Sequence, residues 1–456
     1  MIEQADAPLR ALRSRRLITP DGERAGTLLL RDGRIEAVLR YGKPFGDGPL
    51  LDVGELPVLP GFVDTHVHVN EPGRTEWEGF ESATRAAAAG GVTTLVDMPL
   101  NSIPPTTTLA GLEAKRSAAS GHCWVDVGFW GGVVPGNLAD LQPLLDAGVR
   151  GFKCFLIDSG VSEFAHVQRA DLAAALPVLA EAGRPLLAHA ELPGPIEAAL
   201  ASLPPADSAA NRHYATWLAS RPHAAEDEAV ALLVELCRAS GASIHVVHHA
   251  SAAALPLLAR ARQDALPLTA ETCPHYLHFA AETIPDGATA FKCAPPIRER
   301  ENNEQLWAAL SHGLLDGVVS DHSPCSPALK LSEQGDFQAA WGGIAGLQLG
   351  VSVTWTGARA RGHDLAQLVR WMAVAPARLA GLQMRKGALA PGYDADMVVF
   401  DPEQEFVVTP SELHHRHALT PYAGETLRGR VRSTWLAGRC VFRDGEFEGA
   451  PRGQLL

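Results

Sequence analysis

Along the chain, short apolar runs bounded by Gly, Pro or polar turns alternate with stretches of helical periodicity. Eight such runs stand out, at 61–69, 92–99, 123–131, 150–156, 185–191, 243–251, 268–276 and 317–324. Each is apolar without strict alternation, as expected for a strand covered on both faces. Between them, segments such as 75–89 and 226–240 repeat their apolar positions at helical spacing. Eight strands alternating with helices predict an α/β fold, a (β/α)8 barrel over residues 59–384, with a doubly wound open sheet as the rival. The two ends of the chain follow another pattern. Residues 10–58 and those after 385 read as short strands and tight turns, with the hairpin dipeptides Asp21-Gly22, Asp32-Gly33 and Asp444-Gly445. One small β-rich domain of sandwich type is therefore expected from residues 1–58 and 385–456 together.

Composition narrows the class. Apolar residues make up 46% of the 456 and charged residues 20%, as in an ordinary globular chain. The net charge of −13 disfavours nucleic acid and anionic membrane surfaces as partners. Residues 1–20 lack an apolar core of signal-peptide type. The charge-free run 337–358 carries five glycines and several polar residues, too many for a membrane span. Seven cysteines without CxxC pairing point to reduced thiols and a cytoplasmic protein.

The 18 histidines change the picture most, because several end apolar runs. In Gly61-Phe-Val-Asp-Thr-His66-Val-His68 the two imidazoles lie at i and i+2 of a strand and project to the same side, a natural half-site for Zn²⁺. His189 closes the fifth run, and His245, His248 and His249 crowd the sixth. Strand parity alone does not choose between His248 and His249. Lys153 lies inside an apolar strand, where a charge is costly. It reads either as a buried ion pair or as a lysine of lowered pKa that takes up CO2 as a metal-bridging carbamate. Asp321 ends the eighth run, placed to cap a turn or to serve as ligand and proton acceptor. His66, His68, Lys153, His189, His248 and Asp321 together fall on the rim where barrel enzymes build their sites, with donors enough for two metal ions.

These residues, with the segments HVHVNEPGRTEWEGF, DMPLNSIPPTT, GFKCFLIDSGVSEF, VSDHSPC, AWGGIAGLQ and GALAPGYDADMVVFD, resemble the cyclic amidases of the amidohydrolase superfamily over essentially the whole chain, and the allantoinase family most specifically. The resemblance implies a homo-oligomer that opens the ring of allantoin to allantoate with a hydroxide held between two divalent metals, zinc first, with Fe, Co or Mn as alternatives. It implies His66 and His68 on the more buried metal, a carbamate on Lys153 bridging both, His189 and His248 on the second, and Asp321 as ligand and general acid/base. It selects His248 over His249. Dihydroorotases usually place Arg where this chain has Asn70, and dihydropyrimidinases and hydantoinases usually place Tyr where it has Asp158. Both departures favour allantoin, with a hydantoinase- or dihydropyrimidinase-like amidase as the alternative. Candidate substrate contacts are Asn70, Arg74, Asn101, His275, Cys293 and Gly343.

Overall fold

A computed structural model describes residues 9–205 and 209–456; the first eight residues of the expected N-terminal β segment lie outside them. The eight apolar runs supply the parallel strands of a (β/α)8 barrel. These are Phe62–Val67, Val92–Asp97, Asp126–Phe129 continued by Gly131–Gly132, Phe152–Phe155, Leu186–His189, Ile244–Val246, Leu268–Thr272 and Gly317–Val318. Strands one to three form one ladder and the rest another. The ladders meet within strand three, where Asp126–Phe129 pairs with strand two and Gly131–Gly132 with strand four. The ring closes through a single parallel bridge, Val67 to His322.

Every residue of the first two strands is buried, the polar Asp64, Thr65, His66, Thr93, Thr94 and Asp97 included. Helix His223–Ser240 shows the complementary pattern. Ala225, Ala229, Val230, Leu233, Val234 and Cys237 face inward at helical spacing, and Gly241 ends the helix at φ 68°. Two expected elements start or stop elsewhere. The helix expected from residue 75 begins at Phe80, whose backbone N–H donates to Glu71 Oε2 at 2.8 Å. The seventh run leaves the sheet at Thr272, because Pro274 opens the short helix Pro274–His278.

Both ends of the chain build one nine-stranded sheet. Strands Ala11–Thr19, Gly22–Arg31, Arg34–Arg40 and Leu50–Asp52 lie on one side of Val58–Pro60, and Met397–Val407, Thr426–Leu436, Arg439–Arg443 and Glu446–Phe447 on the other. Asp32-Gly33 and Asp444-Gly445 form tight turns with positive φ at both residues, the geometry that matches hairpin twist, and so does Ala437-Gly438, which the sequence did not mark. Leu12, Leu28 and Ile35 from one arm share an apolar cluster with Met397, Val399 and Trp435 from the other. Val398, Phe400 and Val431 belong instead to the barrel's core. Lys386 pins sheet to barrel. Its Nζ lies 2.6 Å from Asp126 on strand three, 2.6 Å from Asp396 and 3.0 Å from Asp394, all buried. No helix among the described residues is long and apolar enough to cross a membrane.

Candidate metal centre

The C-terminal ends of the barrel strands bring five of the six candidate ligands, His66, His68, His189, His248 and Asp321, into one cavity of about 250 Å³ that Lys153 does not line. His66 and His68 project from the end of strand one, and Asp321 follows strand eight. Asp321 Oδ1 lies 3.1 Å from His66 Nε2 and 3.6 Å from His68 Nε2. His189 ends strand five and His248 follows strand six, with His189 Nδ1 3.0 Å from His248 Nε2. The His248 ring stands 5.3 Å from that of His66, so both histidine pairs share one space. His248 and Asp321 have positive φ, 39° and 44°, a costly backbone region for non-glycine residues. At these bends the chain leaves strand alternation. His248 faces the cavity, while the neighbouring His249 ring lies 4.0 Å from Glu226.

Lys153 points inward from strand four, fully buried, and its Nζ has no hydrogen-bond partner among the described residues. Burial pushes the ammonium down to about 8. Burial likewise lowers His68 to about 4, although Asp321 opposes it. Burial alone would raise the Asp321 carboxyl, but His66 and His68 pull it well below the usual carboxylate range. The result is a pocket of buried imidazoles and one carboxylate whose ligand atoms converge, beside a lysine that is poorly placed to stay charged. That donor set fits divalent cations, and His66, His68 and Asp321 offer ligand atoms within 4.8 Å of one another.

A second layer of carboxylates orients the rings. Glu271 on strand seven accepts from His66 Nδ1 at 2.9 Å. Glu191 Oε2 lies 2.7 Å from His189 Nε2 and accepts from Arg221 Nη1 at 2.6 Å. Burial would raise Glu191, yet Arg221 and His189 hold it at about 2. Ring nitrogens tied to carboxylates in this way leave the opposite nitrogens free as ligand atoms.

Of the candidate substrate contacts, Asn101 and Gly343 line the cavity. At Gly343 φ is 145°, and a Cβ there would stand 2.2 Å from the Ser323 carbonyl oxygen, so only glycine fits. The other four candidates do not line it. Asn70 Nδ2 donates to the Pro324 carbonyl at 3.2 Å. Arg74 braces loops, donating to the Asn101 carbonyl at 2.8 Å and pairing with Glu163. The Cys293 carbonyl accepts from Trp217 Nε1 at 3.2 Å. His275 is buried behind Asp321, with ligand atoms of His275, Cys273 and Asp321 within 4.8 Å of one another. Asp158, Trp217, Arg221, Lys292 and Trp341 also line the cavity, and of these only Asp158 stood out in the sequence. All seven cysteines are free and buried, and burial raises the Cys154 and Cys293 thiols to about 12.

The comparisons with known proteins agree with this geometry. Residues 58–441 match the Amidohydrolase family. The chain is 51% identical over 446 residues to a Streptomyces avermitilis protein named Allantoinase, covering 98% of both chains. It is 48% identical over 411 residues to the Saccharomyces cerevisiae protein of the same name, covering 89% of this chain and 87% of that one. Among solved structures, the L-hydantoinase (dihydropyrimidinase) of Arthrobacter aurescens superposes with a TM-score of 0.92 at 30% identity, over 98% of this chain and 99% of the other. The chain belongs to the amidohydrolase family.

Proposed function

We propose that this chain hydrolyses the hydantoin ring of allantoin, giving allantoate. The observation that carries the reaction class is the convergence of four buried histidines and Asp321 on one cavity beside an unpartnered buried lysine. The relatives named Allantoinase, at 51% and 48% identity, support the choice of ring. So do Asn70 and Asp158, which stand where related amidases usually carry Arg and Tyr.

His66 and His68 would hold one divalent ion, His189 and His248 a second, and Lys153, as a carbamate, would bridge them with Asp321 as a further ligand. Zinc is the first choice. When bound, such ions lower the pKa of water from 15.7 toward about 7 and polarise a carbonyl oxygen. The residues supply the rest. Asp321 accepts the proton of the attacking water and returns it to the ring nitrogen as the C–N bond breaks. This transfer matters because an amide anion is a poor leaving group. Asn101 and the backbone at Gly343 read the polar edges of the ring. Glu191 and Glu271 keep the imidazoles turned toward the centre.

The same reading includes a barrel over 59–384, a β domain from 1–58 and 385–456, and a homo-oligomer. It is cytoplasmic, supported by seven free, buried thiols. The alternative, a hydantoinase-like amidase, is favoured by the backbone likeness to L-hydantoinase. The experiment is allantoate formation from allantoin by metal-loaded protein prepared with bicarbonate, with hydantoin, dihydrouracil and dihydroorotate alongside. Fast turnover of allantoin alone supports the proposal. Turnover of hydantoin or dihydrouracil without allantoin moves the chain to the alternative.

A further inference from the structure

Strand seven ends at Thr272, and the chain turns at Pro274 into the helix Pro274–His278. The residues on either side of that proline, Cys273 and His275, take no part in the reaction described above. Cys273 is fully buried and in no disulfide. His275 is 1% exposed, and neither of its ring nitrogens has a hydrogen-bond partner among the described residues. An imidazole withdrawn from water with both nitrogens unpaired is unfavourable, so the position calls for a partner. One ligand atom each from Cys273, His275 and Asp321 lies within 4.8 Å of the others. Asp321 lines the metal cavity, and Cys273 and His275 do not. The three therefore enclose room for one ion behind that cavity, reached past the Asp321 carboxylate.

The donor set decides which ion. One sulfur, one nitrogen and one oxygen with a fourth position open make a three-ligand site of the kind that holds Zn²⁺. A thiolate also selects soft ions over Mg²⁺, Ca²⁺ and Mn²⁺. The candidate pair of ions in the cavity is served by nitrogen and oxygen donors alone and lacks that preference. We propose that Cys273, His275 and Asp321 form a separate inhibitory site for a soft divalent cation, cadmium or surplus zinc. As the ion binds, the Cys273 thiol releases its proton to solvent and a sulfur lone pair makes the metal bond. The Asp321 carboxylate is drawn onto the same ion and no longer takes the proton of the attacking water. This inhibition rests on the reading of Asp321 as the base; the existence of the site does not.

Cadmium is titrated into the zinc-loaded parent, C273A and H275Q while the sulfur-to-cadmium charge-transfer absorption and allantoin turnover are followed together. Cadmium on the ion pair of the cavity gives no such absorption, because no sulfur is among its ligands. The parent is expected to develop the absorption with a single cadmium per chain and to lose turnover in step. C273A shows no absorption and keeps its turnover in cadmium. H275Q weakens cadmium at least about 10-fold, since losing even an outer partner of a metal site does as much. No absorption in the parent overturns the site. Equal absorption and affinity in the parent and C273A overturn it too, because that marks another cysteine. So does unchanged affinity in H275Q, which decides the matter if C273A does not fold. Absorption with undiminished turnover overturns the coupling to Asp321. A parent that opens no ring overturns the reading of Asp321 as the base, and the absorption still decides the site.

Discussion

Lys153 is the residue whose surroundings most constrain its chemistry. A charged ammonium buried without an acceptor is unfavourable by several kcal/mol, and the proposed conversion to a carbamate would remove that cost. K153A is therefore expected to lose bound metal, measured by elemental analysis, with activity partly restored by added short carboxylic acids. Full metal content in the variant would rule out the bridging role. Asp321 makes a different prediction. D321N keeps a side chain of the same shape but cannot take the water proton, so kcat should fall by about 10²–10⁴-fold while most metal and the unfolding temperature persist. Near-parental turnover would remove Asp321 as the base. His66, His68 and His189 stood out in the sequence because strand ends in an apolar run leave few directions for a polar side chain, whereas the ligand reading of Lys153, which lies inside its strand, came from the family resemblance. The choice of His248 over His249 came from the family resemblance. In structural terms it depends on a backbone bend at φ 39°, which strand alternation does not encode. Glu271 was harder still, because its partners lie on other strands.

The segment 338–343 shows what elements add. It closes one side of the cavity with Ala340, Trp341 and Gly343. Two buried lysines hold its carbonyls. Lys292 Nζ donates to Gln338 at 2.9 Å and Ala340 at 2.5 Å, and Lys330 Nζ to Trp341 at 3.1 Å and to Gly343. The Trp341 ring meets Trp77 edge-on at 4.8 Å. K330M is expected to free the Trp341 and Gly343 carbonyls and loosen this wall, raising KM for the ring substrate several-fold with bound metal and kcat little changed. Steady-state kinetics and metal analysis check both halves. The eight strands were legible because doubly covered strands need continuous apolar runs. Their C-terminal limits were overrun at Thr272 and Val318, where Pro274 and the positive φ of Asp321 take the chain out of the ladder. The strap around 341 was invisible as an element, since its shape is set by lysines 11 and 49 residues upstream.

At the scale of the whole molecule, the Lys386 cluster decides whether sheet and barrel behave as one body. Removing the ammonium would leave Asp126, Asp394 and Asp396 facing one another in the interior. K386M is expected to lose about 3–5 kcal/mol of unfolding free energy, read by denaturant titration. The pH dependence has a definite sign. Burial lowers the Lys386 pKa, but Asp396, Asp126 and Asp394 outweigh it and raise the value above the ordinary 10.5. The contribution is therefore complete below pH 10.5 and is lost as pH rises beyond it. The gap between parent and K386M should narrow in that alkaline range. The β-rich ends were legible from their Asp-Gly turns, but no local signal said that Met397–Val407 would dock between Val58–Pro60 and Thr426–Leu436. That docking has a consequence for synthesis. Val58–Pro60 emerges from the ribosome more than 300 residues before the strand that covers it. At roughly 5–20 residues per second, this leaves an unpaired edge waiting for about 15 to 70 seconds while the whole barrel is made. A nascent chain with such an edge is a natural client for a chaperone.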